Sequence, residues 1–193
     1  MEAVKTSTKT LSKALTVLKQ GGVIICPTDT VYGFLADASN KKAVDKIFKI
    51  KKRPKQKPLP VFVKNLKMAK SMAVINKEQE KIIRRYWPGK YTFVLKSKIK
   101  PQKLKLYGVA KDSVALRVPK HYFLQKLLKK INRPLVQTSV NISGRPTLVK
   151  ISDIIKKFKK NKPQPDLIID AGFLKNKPSK IIDLTSGHLT RIR

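Results

Sequence analysis

Cysteine, acidic side chains and long apolar runs are all scarce in this chain. Its 193 residues include one cysteine, Cys26, which excludes an intrachain disulfide and any zinc site built on several thiolates, and fits a reducing compartment. No stretch approaches the roughly 18 apolar residues of a membrane-crossing helix. Met1–Gln20 is polar and lysine-bearing without an apolar signal core, so a soluble, cytoplasmic protein with no membrane partner is expected. Neither a GxxxxGK[ST] phosphate loop nor GxGxxG occurs, and any nucleotide site must be of another design. The two histidines, His121 and His188, lack a partner spacing for a metal or a triad and read as surface or turn residues.

The shortage of acid leaves 11 Asp and Glu against 45 Lys and Arg, a formal charge of +34. Such an excess favours polyanionic partners. Yet 37 of the basic residues are Lys and 8 are Arg, spread through nearly every segment, whereas base contacts and bidentate phosphate contacts favour Arg. A compositional bias would give the same excess, so charge supports an anionic ligand without naming one.

What is present is enough for one core. With 41% hydrophobic residues, a chain of this length buries roughly 70% of its unfolded surface, and a single domain over 1–193 is expected. Apolar residues at helical spacing predict helices over Thr6–Gln20 (capped by Ser7 or Thr8), Lys41–Ile50 (capped by Asn40), Leu66–Ala73, Lys77–Tyr86 and Tyr122–Lys130, and one capped by Ser152. Short apolar runs predict strands at Val23–Cys26, Pro60–Val63, Tyr91–Leu95, Ser113–Val118, Leu135–Thr138, Leu167–Asp170, Lys180–Leu184 and Leu189–Ile192. The alternation argues for a layered α/β domain with a mixed sheet. Lys51–Pro58 must be a loop because two prolines break it, and Lys96–Lys103 and Lys159–Pro165 read as mobile surface connections.

Two clusters carry chemistry. Pro27-Thr-Asp-Thr-Val-Tyr-Gly33 follows an apolar strand, where open α/β sheets place ligands, and the Lys51-x-Arg53 loop adds a point charge and a forked guanidinium. Thr138-Ser-Val-Asn-Ile-Ser-Gly-Arg-Pro146 follows another strand and offers hydroxyls, an amide and a glycine. Both suit an anionic substrate; both also suit hydrogen-bonded turns, and spacing alone leaves the two readings open. Cys26 reads as a packed strand residue and Trp87 as helix-end packing.

Taken in order, PTDTVYG, KxRP with PLP at Pro58–Pro60, WPG at Trp87–Gly89, SVALRVP at Ser113–Pro119, SVNISGRPT at Ser139–Thr147 and PSKIID at Pro178–Asp183 resemble the YrdC/TsaC family of threonylcarbamoyl-AMP synthases along nearly the whole chain. The resemblance implies a twisted open sheet flanked by helices, with a concave basic cavity. There ATP, L-threonine and bicarbonate would give threonylcarbamoyl-AMP and pyrophosphate for tRNA modification, with Mg2+ carried by ATP, no protein-bound structural metal and separate threonylcarbamoyl-transfer proteins downstream. It implies catalytic roles for Lys51 and Arg53. L-Threonine contacts fall to Thr30, Arg117, Gln137 and Ser179. ATP contacts fall to Arg53, Lys57, Ser113, Ser139, Asn141, Thr147 and Arg191. This chain departs from the family pattern at Phe62, where many relatives carry His, at Lys57, where Asn is common, and at Val140 in place of Ala. The end at Arg193 leads us to expect no further C-terminal domain. A rival from another class is a non-catalytic module whose basic concave face binds tRNA or double-stranded RNA, and a third is a nucleotide sensor without turnover.

Overall fold

The computed structural model describes residues 2–98, 106–160, 162–186 and 189–192. Six helices are present: α1 (Thr8–Lys19), α2 (Lys41–Lys51), α3 (Leu66–Met72), α4 (Lys77–Tyr86), α5 (Tyr122–Ile131) and α6 (Ile151–Phe158). The strands are β1 (Glu2–Lys5), β2 (Ile24–Cys26), β3 (Gly33–Asp37), β4 (Val61–Phe62), β5 (Tyr91–Lys96), β6 (Ser113–Arg117), β7 (Leu135–Ser139), β8 (Leu167–Asp170), β9 (Lys180–Asp183) and β10 (Thr190–Arg191). All ten join one mixed sheet in the order β1-β8-β2-β3-β7-β4-β6-β5-β9-β10.

Local chemistry sets the helix ends. Ser7 caps α1 by accepting the Thr10 N–H, Asn40 caps α2 at Ala43, and Asn76 with Gln79 forms a reciprocal capping box on α4. After α1, Gly21 takes φ +80, a conformation open to glycine at no steric cost, and the chain turns back into β2. The helix expected from a Ser152 cap instead starts at Ile151 after Lys150, with no side-chain cap. Two strands were not expected. β1 is a short edge strand parallel to β8. β3 is buried along its whole length between β2 and β7, and a strand covered on both faces shows no alternation to read. His188 and most of the Lys96–Lys103 connection lie outside the described residues.

Alternation along the strands divides the core into two layers. On one face α2, α3, α4 and α6 pack on Phe34, Val61, Phe93, Val114, Leu116, Val136 and Ile182. On the other, α1 and α5 pack on Ile24, Cys26, Leu35, Phe62, Leu135, Leu167 and Ile169. Cys26 is fully buried there, as expected for a packed strand residue. These two helices cover only part of their face. Toward β9 the same face carries Val94, Ser113, Ala115, Gln137, Ser139 and Ile181, all partly exposed.

Candidate active site

The uncovered part of the sheet floors a cavity of about 290 Å3 lined by Arg53, Pro58, Leu59, Pro60, Val94, Ala110, Ser113, Ala115, Gln137, Thr138, Ser139, Ile181 and Ile192. A second depression of about 640 Å3 shares Val94 and Ser113 with it and adds Lys96, Lys111, Asp112, Asp183 and Thr185. Strand pleating explains the polar floor: Ser113 and Ala115 alternate with the buried Val114 and Leu116, and Gln137 and Ser139 alternate with Val136 and Thr138.

Arg117 ends β6 on this face, only 1% exposed. Its Nε donates to Gly89 O at 2.9 Å, Nη1 to Thr30 Oγ1 at 3.2 Å and Nη2 to Asp29 Oδ1 at 2.5 Å, while the guanidinium lies 5.5 Å from the Phe62 ring centre. Asp29 Oδ2 accepts the Lys120 N–H at 3.0 Å. The turn that presents these groups is held by Thr28, whose Oγ1 accepts the Thr30 N–H and donates to Val31 O. That leaves Thr30 as the donor in the 2.8 Å contact between the two hydroxyls, so its lone pairs face Arg117. Register places Thr92 one residue beyond the Phe93–Leu116 pair, opposite Arg117. Thr92 is fully buried and its hydroxyl meets Ser179 Oγ at 3.1 Å.

The other end is built on the exit from α2. Lys52 at φ 50 stops the helix, and Arg53 is then pinned by its own loop, with Nε donating to Lys57 O and Nη2 to Pro58 O, both at 2.9 Å. Burial lowers its pKa from the ordinary arginine value. Lys51, 1% exposed, points beneath the loop after β7. Its Nζ donates to Ser139 O at 2.6 Å, Asn141 O at 3.1 Å and Asn141 Oδ1 at 2.6 Å. Ser139 Oγ also donates to Asn141 Oδ1, at 2.9 Å, and the Ser143 N–H donates to Lys51 O. Burial, and secondarily the charge of Arg53, pulls the Lys51 pKa down to about 7.

Of the residues singled out from sequence, Arg53, Ser113, Gln137 and Ser139 line one cavity. Thr30 and Arg117 touch each other, Lys51 and Asn141 support the Ser139 loop, and Ser179 joins Thr92. Lys57 enters through its carbonyl, its side chain exposed; Thr147 and Arg191 do not line the cavity. Sequence reasoning placed Asp29 in the first cluster without a role of its own and missed Thr92. The signal for Thr92 was a hydroxyl within the apolar Tyr91–Leu95 run. His121 accepts the Leu124 N–H at the start of α5 through Nδ1 and is half-buried, which lowers its pKa. Trp87 closes α4 and donates Nε1–H to Tyr91 O. Among the described residues, no helix is long and apolar enough to cross a membrane.

Comparison with known proteins follows the same outline. The family Sua5_yciO_yrdC, described as "Telomere recombination", matches residues 16–193. A Methanocaldococcus jannaschii protein provisionally named threonylcarbamoyl-AMP synthase is 36% identical over 186 residues, covering 94% of this chain and 85% of that protein. The threonylcarbamoyl-AMP synthase of Pyrococcus abyssi is 34% identical over 171 residues, covering 87% of this chain and 48% of that one. The crystal structure of P. abyssi Sua5 complexed with L-threonine superposes with a TM-score of 0.85 at 30% identity, over 100% of this chain and 56% of that chain. The chain thus spans about half of both Pyrococcus proteins. With a match over more than nine-tenths of its length, this chain belongs to the Sua5/YciO/YrdC family.

Proposed function

We propose that the protein is an L-threonylcarbamoyladenylate synthase. The observation that carries this reading is the division of one open sheet face into two chemically distinct ends. At one end a buried guanidinium is held against a hydroxyl, Arg117 on Thr30, with the Thr92–Ser179 hydroxyl pair on the neighbouring strand. That suits a small amino acid with a carboxylate and a hydroxyl. At the other, the Arg53 fork stands beside Ser113 and Ser139, which suits a phosphate chain.

The chemistry needs no covalent nucleophile. The free amine of threonine takes up CO2, in equilibrium with bicarbonate, as a carbamate; a carbamate oxygen forms a bond to the α-phosphorus of ATP, and the bond to the leaving pyrophosphate breaks. Arg117 and Thr30 would orient the amino acid. Arg53 would face the charge developing on the phosphoryl group. Lys51, its ammonium protons all engaged by the Ser139–Asn141 loop, would act through that loop. Mg2+ would arrive with the triphosphate and neutralise part of its charge. The product class, a carbamoyl adenylate, would pass to proteins that modify tRNA.

Incubation with ATP, bicarbonate, Mg2+ and L-threonine should release pyrophosphate only when threonine is present, and mass spectrometry should find the adenylate. Arg53→Ala should lower kcat/KM by about 100-fold. Threonine-independent release, or unchanged turnover in the variant, would sink the reading. The charge of +34 favours a second one, RNA binding without catalysis. tRNA binding with a steep salt slope and no competition from ATP would mark that alternative.

A further inference from the structure

We infer that Asp29 is the positioning residue of the Arg117–Thr30 end of this sheet face, acting through Arg117; the inference rests on the proposed use of that end for threonine. Asp29 is nearly buried, its side chain 7% exposed against 1% for Arg117. Each of its oxygens accepts from a different donor: Oδ1 from Arg117 Nη2, Oδ2 from the Lys120 N–H. The carboxylate therefore ties the end of β6 to the entry of α5 and to the turn that carries Thr30.

Three anchors determine the guanidinium plane. Gly89 O, Thr30 Oγ1 and Asp29 Oδ1 take protons from Nε, Nη1 and Nη2 respectively. Of these only Asp29 is charged, so it also balances a cation that is buried against Phe62. Asparagine is not an equivalent. It offers one acceptor where two are used, and its amide protons would face either the guanidinium or the Lys120 N–H. The hydrogen bonds of Arg53 run to Lys57 O and Pro58 O, so loss of Asp29 should leave the phosphate end intact.

The test compares Asp29→Asn and Asp29→Glu with wild type in the threonine-dependent pyrophosphate assay. The Asn variant should raise the threonine KM about tenfold or more while the ATP KM stays within about twofold. Glu, which restores two acceptors displaced by one methylene, should fall between Asn and wild type. An unchanged threonine KM, or an equal rise in both KM values, would overturn the inference. Should the Asn protein fail to fold, Glu decides alone: a raised threonine KM with an unaltered ATP KM supports the role, and wild-type values for both refute it. If wild type makes no product, the proposed activity fails. Calorimetric titration of the same proteins with L-threonine and with ATP then decides, selective loss of threonine binding supporting Asp29 and no threonine binding by wild type refuting it.

Discussion

Lys51 has three protons as an ammonium and three oxygens around it to receive them. Its burial works against that charge and brings its pKa to about 7, from an ordinary 10.5. Because the folded value lies below the unfolded one, unfolding takes up a proton between about pH 7 and 10.5, and this group's contribution to stability rises with pH across that window. The tether to Ser139 and Asn141 weakens over the same window, since a neutral amine has one proton fewer to give. Urea unfolding of wild type and Lys51→Met at pH 7 and 9 should show a gain on the order of 1–3 kcal/mol in wild type that the variant lacks. Equal pH responses would place the Lys51 pKa outside this range. Pro54 and Pro58 predict a helix that ends at Ile50 and a loop from Lys51 onward. One further helical residue reverses its direction: Lys51 follows Val44, Ile47 and Phe48 around the buried face of α2, at the i, i+3, i+4, i+7 spacing of a core stripe. For Asp29 it was the pairing that stayed hidden, since its partners Arg117 and Lys120 lie about ninety residues away and no local pattern reports them.

The turn after α4 shows how an element end can govern a distant side chain. Gly89 donates its N–H to Val118 O and accepts from Arg117 Nε, and a Cβ at Gly89 would collide with the backbone carbonyl of Tyr86. Gly89→Ala must therefore move the acceptor that steadies Arg117. It should cost about 1–3 kcal/mol in stability and raise the threonine KM. Asn76→Ala, at the opposite end of α4, should cost about 1 kcal/mol through the lost cap and leave that KM unchanged. Urea midpoints and steady-state kinetics on both proteins check the contrast, and matched KM values would detach the turn from Arg117. Helices α2, α4 and α5 were legible because caps and apolar stripes are local signals. β3 was not, because its ends, Gly33 and Asp37, resemble turn residues and its middle lacks alternation. In β6 the half-exposed Ser113 and Ala115 between buried neighbours mark the open face, and only the packing of α1 and α5 shows where cover stops.

At the scale of the whole molecule, the expected mixed α/β sheet is present, but its strand order was beyond reading. β8 and β9 follow each other in the chain and lie seven places apart in the sheet, a non-local arrangement that no sequence pattern encodes. One narrow part of that order is β4. Val61 and Phe62 pair with β7 on one side and β6 on the other, and Pro60 O, accepting from Gln137 N–H, and Val63 N–H, donating to Arg117 O, extend the link, so five strands join four through a short central segment. The cavity straddles this seam, with Gln137 and Ser139 on one bank and Ser113 and Ala115 on the other. A ligand touching both banks staples the sheet across this short strand, and amide hydrogen exchange at Val61 and Phe62 should slow when ATP and threonine bind together. Exchange there that ignores both ligands would mean that the two banks are already locked by the helices above them, and that occupancy adds no stiffness across β4.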